Sequence, residues 1–324
     1  MQLERPAPSA PPVLADLYGG QRVVVTGARG FLGRAVCAQL DRAGATVLPL
    51  GRAELDLLDR SAVKARLRAL RPEVVVHCAV DGGGLGWMRD HPVESGLNNV
   101  LINVHVLEGA HEAGARAFLG AGSACAYPRI CPVPFVEDDL WQGYPEPTNG
   151  PYAQSKRVLL DLCRAYYAQH GFFAMTPLLA NLYGPGDHLD PGRAHVVAAL
   201  LQRVIRLPAG APLEVWGTGT PTRELLYIDD AAEGLLSCLA LSEPAVLNLG
   251  TGVEHSIAAL AQAVLDAADH TGALVFDPTK PDGQPRKCLS TARAEALLGW
   301  RARTPLAEGL RAAVTWYRAA EPPR

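Results

Sequence analysis

Two residues with reactive side chains, Tyr152 and Lys156, lie four positions apart in the segment PYAQSKRVLL. If the segment is helical, this spacing places the phenol and the ammonium on one face, where both can reach the same substrate atom. A tyrosine can donate a proton to a substrate oxygen, and a neighbouring cation favours the loss of that proton. Surface helices also contain such pairs by chance, so their role depends on the rest of the chain.

A second pair of reactive residues follows a predicted strand that ends at Gly120. The segment FLGAGSACAYP carries Ser123 and Cys125 into the loop after this strand. Ligands of open α/β sheets bind at the carboxyl ends of the strands. The loop is therefore predicted to lie at a ligand-binding edge, although a loop serine often only caps backbone and most cysteines are inert core residues.

Glycines recur at Gly27, Gly30 and Gly33 in VVVTGARGFLGRAV, between a predicted strand and a predicted helix. In that setting glycine permits a tight turn, and the backbone can approach a pyrophosphate that binds to the helix-end amides. Phe31 and Leu32, in the same turn, are also predicted to contact the cofactor. The segment favours a dinucleotide site over an ordinary glycine-rich turn.

The type of dinucleotide depends on the residue after the second strand, where an acid binds a ribose hydroxyl and an arginine favours a 2′-phosphate. The segment TVLPLGRAELDLLD places Arg52 there, and Arg29 in the glycine loop is a second cation. No acid is assigned to that role, so NADP(H) is favoured over NAD(H); the alternative is that Arg52 is an ordinary solvated residue. Asp56 and Leu57 are assigned to the end of a third strand, against the adenine.

The elements that must position these residues follow a regular alternation. Apolar runs such as RVVVTG, ATVLPL and EVVVHCAV alternate with helical patterns such as FLGRAVCAQLDRAG and SAVKARLRAL. This pattern predicts a Rossmann-type, doubly wound parallel sheet, followed by a smaller, loop-rich C-terminal α/β lobe. The predicted division is a flexible extension over 1–20, an NADP-binding domain over 21–181 to which 225–252 returns, and a mainly substrate-binding lobe over 182–324.

The composition is that of an ordinary globular protein. Of 324 residues, 48% are hydrophobic and 19% charged, with a formal net charge of -3, which suggests neither nucleic acid nor an anionic membrane as a partner. The proline-rich start holds no apolar run long enough for a signal peptide, so a cytoplasmic protein is expected. Seven cysteines at irregular spacing suit neither a disulfide framework nor a zinc site, and no metal is expected.

The glycine fingerprint, the strand-end serine and Tyr-x-x-x-Lys together resemble the extended short-chain dehydrogenase/reductase superfamily. Further segments resemble, in order, the motifs of the GDP-L-fucose synthase family over nearly the whole chain from Arg22 to Tyr317: GSACAYP, NLYGPGD, AHVVAALL, VWGTGTPTRELLYIDD and KPDGQPRKCL. The fingerprint and Tyr-x-x-x-Lys are shared across the superfamily, whereas VWGTG, PTRE and PDGQPRK are specific to this family and its near relatives.

The resemblance implies conversion of GDP-4-keto-6-deoxy-D-mannose to GDP-L-fucose, by epimerisation at C3 and C5 and reduction of the C4 ketone with NADPH. For the reduction, it implies that Tyr152 donates the proton, that Lys156 lowers the phenol pKa and holds the nicotinamide ribose, and that Ser123 steadies the ketone oxygen. For the epimerisations, it implies Cys125 as the base and His195 in RAHVV as the acid, with His195 also near the cofactor.

The resemblance also assigns residues to a nucleotide-sugar site in the lobe. Arg223 suits a diphosphate because its planar guanidinium can donate two hydrogen bonds at once. The other residues implied to contact the substrate are Asn181, Arg203, Trp216 and Lys287. A homodimer is also implied, formed through the helix that carries Tyr152 and the helix of NNVLINVHVLEGAHEA.

Three positions depart from the family pattern and leave other functions open. Trp87 stands where relatives usually have small or amide residues, His188 where asparagine is common, and Ser290 where aspartate usually follows the leucine. The alternative activity is a related reductase or epimerase for another nucleotide-linked 4-keto-6-deoxyhexose in specialised-metabolite biosynthesis. The non-enzymatic alternative is a cofactor-binding regulator, which the intact set of reactive residues disfavours.

Overall fold

The computed structural model describes residues 10–187, 195–280, 282 and 284–320, in which strands and helices alternate. The strands are β1 Arg22–Thr26, β2 Thr46–Leu50, β3 Val74–His77, β4 Ala117–Gly120, β5 Phe173–Met175, β6 Leu178–Leu179, β7 Asn181–Tyr183, β8 Leu213–Trp216, β9 Thr222–Arg223, β10 Leu225–Tyr227, β11 Asn248–Leu249, β12 His255–Ser256 and β13 Leu274–Asp277. The helices are α1 Leu14–Tyr18, α2 Phe31–Arg42, α3 Arg60–Leu70, α4 Leu85–Asp90, α5 Pro92–Glu112, α6 Gly150–His170, α7 Val196–Arg206, α8 Ile228–Ser237, α9 Ile257–Ala267, α10 Ala292–Leu298 and α11 Leu306–Ala320.

The central sheet contains five parallel strands in the order β2-β1-β3-β4-β5. Val24 of β1 is in register with Val75 of β3, which is in register with Phe118 of β4. These strands are continuous apolar runs because helices cover both faces of the sheet. The predicted doubly wound α/β fold is confirmed, and the chain reverses its direction of strand addition between β1 and β3, where ligands of such sheets bind.

Side chains of the central strands alternate between two cores. In β1, Val23 and Val25 lie in a buried cluster with residues of α2 and α8, whereas Val24 lies in a second cluster with residues of α3, α5 and α6. None of the three valines is exposed. This alternation follows from the two-residue period of a strand, and it places one layer of helices on each face.

A third buried cluster fills the C-terminal lobe. It combines side chains from α7, α9 and α11 with those of the parallel strand pair β8 and β13. The chain then returns to the first core, since Ala231 and Leu235 of α8, Leu249 of β11 and the fully buried Trp300 all lie there. Two further parallel pairs, β6 with β11 and β7 with β10, connect strands on either side of the lobe segment that contains α7 and β8.

The start of the packed chain differs from the prediction. A flexible extension is predicted up to residue 20, but Leu14–Tyr18 form α1, and the Tyr18 side chain is fully buried. Its hydroxyl donates a hydrogen bond of 2.8 Å to the Leu236 carbonyl oxygen. The large apolar ring and its satisfied hydroxyl anchor this segment against α8. No helix within the described ranges is both long and apolar enough to cross a membrane.

Candidate active site

The glycine loop between β1 and α2 is shaped by close backbone contacts. Gly27 has a φ of +65°, and a Cβ atom there would lie 2.7 Å from the backbone of Ala79. A Cβ on Gly33 would lie 2.1 Å from the Gly27 carbonyl oxygen. Larger residues would push α2 away from the turn. The α2 N-terminus, which follows Gly30, has no side-chain cap, so its amides can bind a pyrophosphate. This cradle fits a dinucleotide.

Acidic residues accompany both arginines at the end of β2. Arg29 forms an ion pair with Glu54, whose other carboxylate oxygen accepts a hydrogen bond of 2.8 Å from the Gly51 amide. Arg52 is largely exposed and lies 3.5 Å from an oxygen of Asp81. The prediction overlooked Glu54, which stands only two positions after Arg52. A ribose 2′-phosphate would have to compete with Glu54 for Arg29.

Asp56 and Leu57 do not follow a third strand. They lie in the turn between β2 and α3, because the next strand, β3, begins only at Val74. Asp56 accepts a hydrogen bond of 2.9 Å from the Leu58 amide, and the Leu57 carbonyl oxygen lies 3.0 Å from Nδ1 of His105. The turn is therefore held by its own carboxylate and by α5, and its contact with adenine stays a prediction.

Tyr152, Lys156 and Ser123 converge where β4 meets α6. Lys156 as a residue is 3% exposed, and its ammonium donates a hydrogen bond of 2.8 Å to the Ala121 carbonyl oxygen and lies 5.6 Å from the centre of the Tyr152 ring. The Ser123 hydroxyl accepts a hydrogen bond of 3.1 Å from the Cys125 amide and lies close enough to the Tyr152 phenol to lower its pKa. One turn of α6 and one strand end thus hold the predicted triad together.

Burial dominates the protonation of this triad. It raises the pKa of Tyr152 well above the ordinary value, the nearby Cys125 adds to the rise, and the bond to Ser123 opposes it. Burial also lowers the pKa of Lys156 to about 8, while Cys78 and Cys125 oppose that shift. The predicted lowering of the phenol pKa by Lys156 is therefore wrong for this structure, because the ammonium points to the Ala121 carbonyl and the phenol is desolvated.

A buried polar chain behind the triad was missed by the sequence reasoning. His77, at the end of β3, pairs through Nδ1 with the Thr26 hydroxyl at 2.6 Å and through Nε2 with Oδ1 of Asn103 at 2.9 Å. Asn103 in turn donates to the Ser155 carbonyl oxygen at 3.3 Å. Burial, followed by the charge of Lys156, lowers the pKa of His77 to about 3. The neutral ring links two strand ends to α5 and α6, and its sequence signal is a histidine that ends the apolar run VVV.

Neighbouring charged groups shift the pKa values of Cys125 and His195 in opposite directions. The Lys287 ammonium lies 3.1 Å from the Cys125 sulfur. Burial opposes ionisation of this thiol, but the charge of Lys287 and the bond to Ser123 bring its pKa below the ordinary value. His195, with a side chain 48% exposed, lies 4.0 Å from a carboxylate oxygen of Asp187. Partial desolvation of the half-exposed ring disfavours its protonation, yet Asp187 raises the net pKa of His195.

The residues assigned to the nucleotide sugar fall into two groups. Asn181 and Arg223 adjoin the segment that carries Lys287, since Asn181 donates to the carbonyl oxygen of Glu224 at 3.0 Å and the Glu224 amide donates to that of Lys287 at 3.1 Å. Arg223 donates to the Gln284 carbonyl oxygen at 2.7 Å. Trp216 and Arg203 are joined through strand β8 of the lobe. Trp216 is 61% exposed, and Arg203 donates to the carbonyl oxygen of Glu214, on the same strand as Trp216, at 2.9 Å.

Glu224 organises the first of these groups and was not singled out from the sequence. Its side chain is almost fully buried, and one oxygen accepts hydrogen bonds from the amides of Thr251 and Gly252. The other oxygen accepts a bond of 2.7 Å from the Leu289 amide. Burial raises the pKa of Glu224, and these amides oppose the rise. The carboxylate thus joins two loops beside Arg223 and Lys287.

The three departures from the family pattern have different settings. The Trp87 ring stacks on His91, with 4.9 Å between ring centres, and its proximity to the sugar stays a prediction. His188 lies outside the described residues. The Ser290 amide donates to the Phe135 carbonyl oxygen at 2.9 Å, and its carbonyl oxygen accepts from Asn248. The backbone of Ser290 therefore links its segment to Phe135 and Asn248.

Comparison with known proteins agrees with this geometry. Residues 23–250 match the family model described as the NAD dependent epimerase/dehydratase family. The chain is 38% identical to the probable GDP-L-fucose synthase 1 of Oryza sativa subsp. japonica, with 94% of this chain and 93% of that protein covered. It is 37% identical to the GDP-L-fucose synthase of Escherichia coli strain K12, with 92% and 96% covered.

A solved structure supports the same assignment. A GDP-L-fucose synthetase from Naegleria fowleri bound to NADP superposes with a TM-score of 0.85 at 29% identity, covering 98% of each chain. The similarity spans both the sheet that carries the glycine loop and the lobe that carries Arg223. The chain therefore belongs to the NAD dependent epimerase/dehydratase family, within its GDP-L-fucose synthase branch.

Proposed function

We propose that this protein converts GDP-4-keto-6-deoxy-D-mannose to GDP-L-fucose with NADPH as reductant. The observation that carries the proposal is the placement of two kinds of chemistry at one point. Ser123 accepts a hydrogen bond of 3.1 Å from the Cys125 amide, and the Cys125 sulfur lies close enough to both His195 and the Tyr152 phenol to influence their pKa values. A ketone held by Ser123 and Tyr152 would thus have its neighbouring carbons beside the thiol and the imidazole.

The reduction would use Tyr152 as the proton donor. NADPH, held by the glycine loop, supplies the hydride when bound. Burial raises the pKa of Tyr152 and so favours the protonated phenol, which makes it a donor rather than a base, and the Ser123 hydroxyl would hydrogen-bond to the substrate oxygen and stabilise its developing charge. Burial lowers the pKa of Lys156 to about 8, so its ammonium can release a proton at a pH close to neutral. That proton would replace the one that the phenol donates to the substrate.

The epimerisations would use Cys125 as the base and His195 as the acid. The pKa of the thiol is lowered and that of the imidazole is raised, so each group is shifted toward the protonation state that its role requires. The carbon beside a ketone becomes acidic because its negative charge spreads onto the ketone oxygen. Ser123 and Tyr152 stabilise that oxygen, so one polarised carbonyl would serve every step.

The diphosphate would be bound by Arg223, with Asn181 and Lys287 beside it. The Arg223 side chain is partly buried and already donates to the Gln284 carbonyl oxygen, which fixes its direction. Trp216 and Arg203 would contact the base and its ribose. A binding screen of GDP-, dTDP- and UDP-sugars against the NADPH-loaded protein tests this part, and we expect GDP sugars to bind most tightly.

A homodimer is also proposed. Val93 and Leu97 of α5 are 67% and 55% exposed, and Val158 of the adjoining α6 is 39% exposed. Two neighbouring helices thus present apolar side chains that a second copy would cover. Light scattering on the purified protein should give twice the monomer mass, and Leu97→Lys with Val158→Lys should give monomers; a monomeric unmodified protein would contradict this part.

The activity itself is tested by incubation with GDP-4-keto-6-deoxy-D-mannose and NADPH in deuterated water. We expect NADPH oxidation and deuterium at both C3 and C5 of the product. Reduction without deuterium would identify a plain ketoreductase, and exchange without NADPH oxidation an epimerase. Neither reaction, in protein that binds NADPH, would support the regulator alternative and contradict the proposed enzyme.

A further inference from the structure

The contact between Lys287 and Cys125 joins residues that are 162 positions apart in the chain. The ammonium nitrogen lies 3.1 Å from the sulfur, within hydrogen-bonding distance of a thiolate. A diphosphate-binding lysine has no need to contact the base of the reaction. The contact therefore indicates a second role for Lys287, apart from the nucleotide.

Backbone bonds fix both partners of this contact. On one side, the Cys125 amide donates to Ser123, and the buried Arg157 donates to the Ala126 carbonyl oxygen at 2.7 Å. On the other side, the Lys287 carbonyl oxygen accepts a bond of 3.1 Å from the Glu224 amide. Because the carboxylate of Glu224 also binds the Leu289 amide, the segment that carries Lys287 is held at two points.

We propose that Lys287 is the positioning residue that keeps the Cys125 sulfur as a thiolate before the substrate binds. This role rests on the proposed function, in which Cys125 is the base. Only the thiolate can accept a proton from carbon, and a neighbouring cation stabilises that form in a buried site.

Other charged groups also face the sulfur. His195, Lys156 and Arg223 are cations that interact with it, whereas the Tyr152 phenol and the Ser123 hydroxyl are neutral. Lys287 differs from the other cations because it contacts the sulfur directly. Its charge is also the strongest of the influences that lower the thiol pKa against the opposing effect of burial.

The proton balance of the step is simple. The Cys125 thiolate takes a proton from the sugar carbon, which leaves the electron pair on the enolate of the ketone. The His195 imidazolium then gives one proton to the opposite face of that carbon. The charged thiolate and imidazolium end as neutral thiol and imidazole; the thiol then releases its proton to water and the imidazole takes one up from water, which restores both charged groups.

Alkylation of the protein by iodoacetamide, without any sugar, measures the role of Lys287. The rate at Cys125 is followed against pH by peptide mass spectrometry, because the chain has seven cysteines. In Lys287→Met, the midpoint of the Cys125 alkylation profile should rise by about one to three pH units, the effect expected for the loss of an adjacent opposite charge. Lys287→Arg should restore most of the original midpoint.

Lys64→Met is the matched control, since Lys64 pairs with Glu108 and Glu112 on α5 and should leave the Cys125 profile unchanged. Thermal unfolding of each variant identifies loss of the fold. An unchanged Cys125 midpoint in folded Lys287→Met would overturn the proposal and leave Lys287 as a diphosphate ligand only. So would a midpoint that stays high in folded Lys287→Arg.

The test separates this proposal from the proposed function. If the protein fails to turn over the GDP sugar but Lys287→Met still shifts the midpoint, the thiolate role stands and the substrate assignment fails. If the unmodified protein turns over the GDP sugar but Lys287→Met does not shift the midpoint, the substrate assignment stands and the thiolate role fails. With active protein, deuterium exchange in Lys287→Met should also require a higher pH, whereas a pure binding role would raise only the substrate KM.

Discussion

At the cofactor end of the active site, the predicted contacts to the pyrophosphate and the adenosine come from one stretch of chain between residues 27 and 57, where backbone shape decides the glycine loop. At the sugar end, side chains arrive from segments spread between residues 123 and 287 and depend on one another for their charge. Substitutions at the cofactor end should therefore weaken the binding of NADPH, whereas substitutions at the sugar end should change which reaction occurs.

The largest expected effect separates the two reactions at the sugar end. Tyr152→Phe removes the proton donor, and reduction, followed as NADPH oxidation, should fall by about 10²- to 10⁴-fold. Deuterium exchange should persist in part, because Cys125 and His195 remain. Tyr167→Phe, on the same helix, is the control. Equal loss of both reactions in a folded variant would mean that the phenol is not specific to reduction.

Cys125→Ser should have the converse effect. A serine hydroxyl does not ionise near neutral pH, so deuterium exchange at C3 and C5 should fall by about 10²- to 10⁴-fold, while a 4-keto sugar that is already epimerised should still be reduced. Cys131→Ser serves as the control, since burial raises the pKa of that thiol. Exchange that survives at the original rate in Cys125→Ser would remove the thiol from the mechanism.

At the cofactor end, Gly33→Ala tests the backbone. A Cβ atom would lie 2.1 Å from the Gly27 carbonyl oxygen, so α2 must move and the pyrophosphate cradle must open. We expect a loss of about 1–3 kcal/mol in the free energy of unfolding and weaker NADPH binding by fluorescence titration. Gly86→Ala, where a Cβ atom meets nothing within 4 Å, should change neither.

His77, between the two ends, makes stability depend on pH. Its pKa is lowered to about 3 by burial, from an ordinary 6.5, so between these values the unfolded chain binds a proton that the folded protein does not. The free energy of unfolding should fall with decreasing pH by about 1.4 kcal/mol per unit in that window. His77→Gln should lose this component in urea titrations at several pH values; identical slopes would show that His77 is protonated in the folded protein.

The smallest effect concerns cofactor choice. Glu54→Gln removes the negative charge that pairs with Arg29, so Arg29 becomes available to a 2′-phosphate. We expect the preference for NADPH over NADH to rise about two- to fivefold, in line with exposed ion pairs. Glu243→Gln, an exposed acid elsewhere, should leave the ratio of the two dissociation constants unchanged, and a fall in that preference in Glu54→Gln would contradict the competition.

The contrast between the two ends also explains which features were visible in the sequence. The strand-turn-helix with Gly27 and Gly33 was recognisable because a steric requirement acts over a few residues. Glu54 was overlooked, although it lies close to Arg52, because its bond to the Gly51 amide depends on how the turn folds. The effect of Lys156 on the phenol was misjudged because sequence spacing reports neither the burial that raises the Tyr152 pKa nor the hydrogen bond that directs the ammonium to the Ala121 carbonyl oxygen.

Local chain chemistry was enough to specify the alternation of strands and helices, the glycine turn and the reactive side chains, because periodicity and steric limits operate between near neighbours. Whether Cys125 is a thiol or a thiolate depends on Lys287, which folding brings to it from 162 residues away. Protonation follows burial and distance, and both arise only when remote segments pack together.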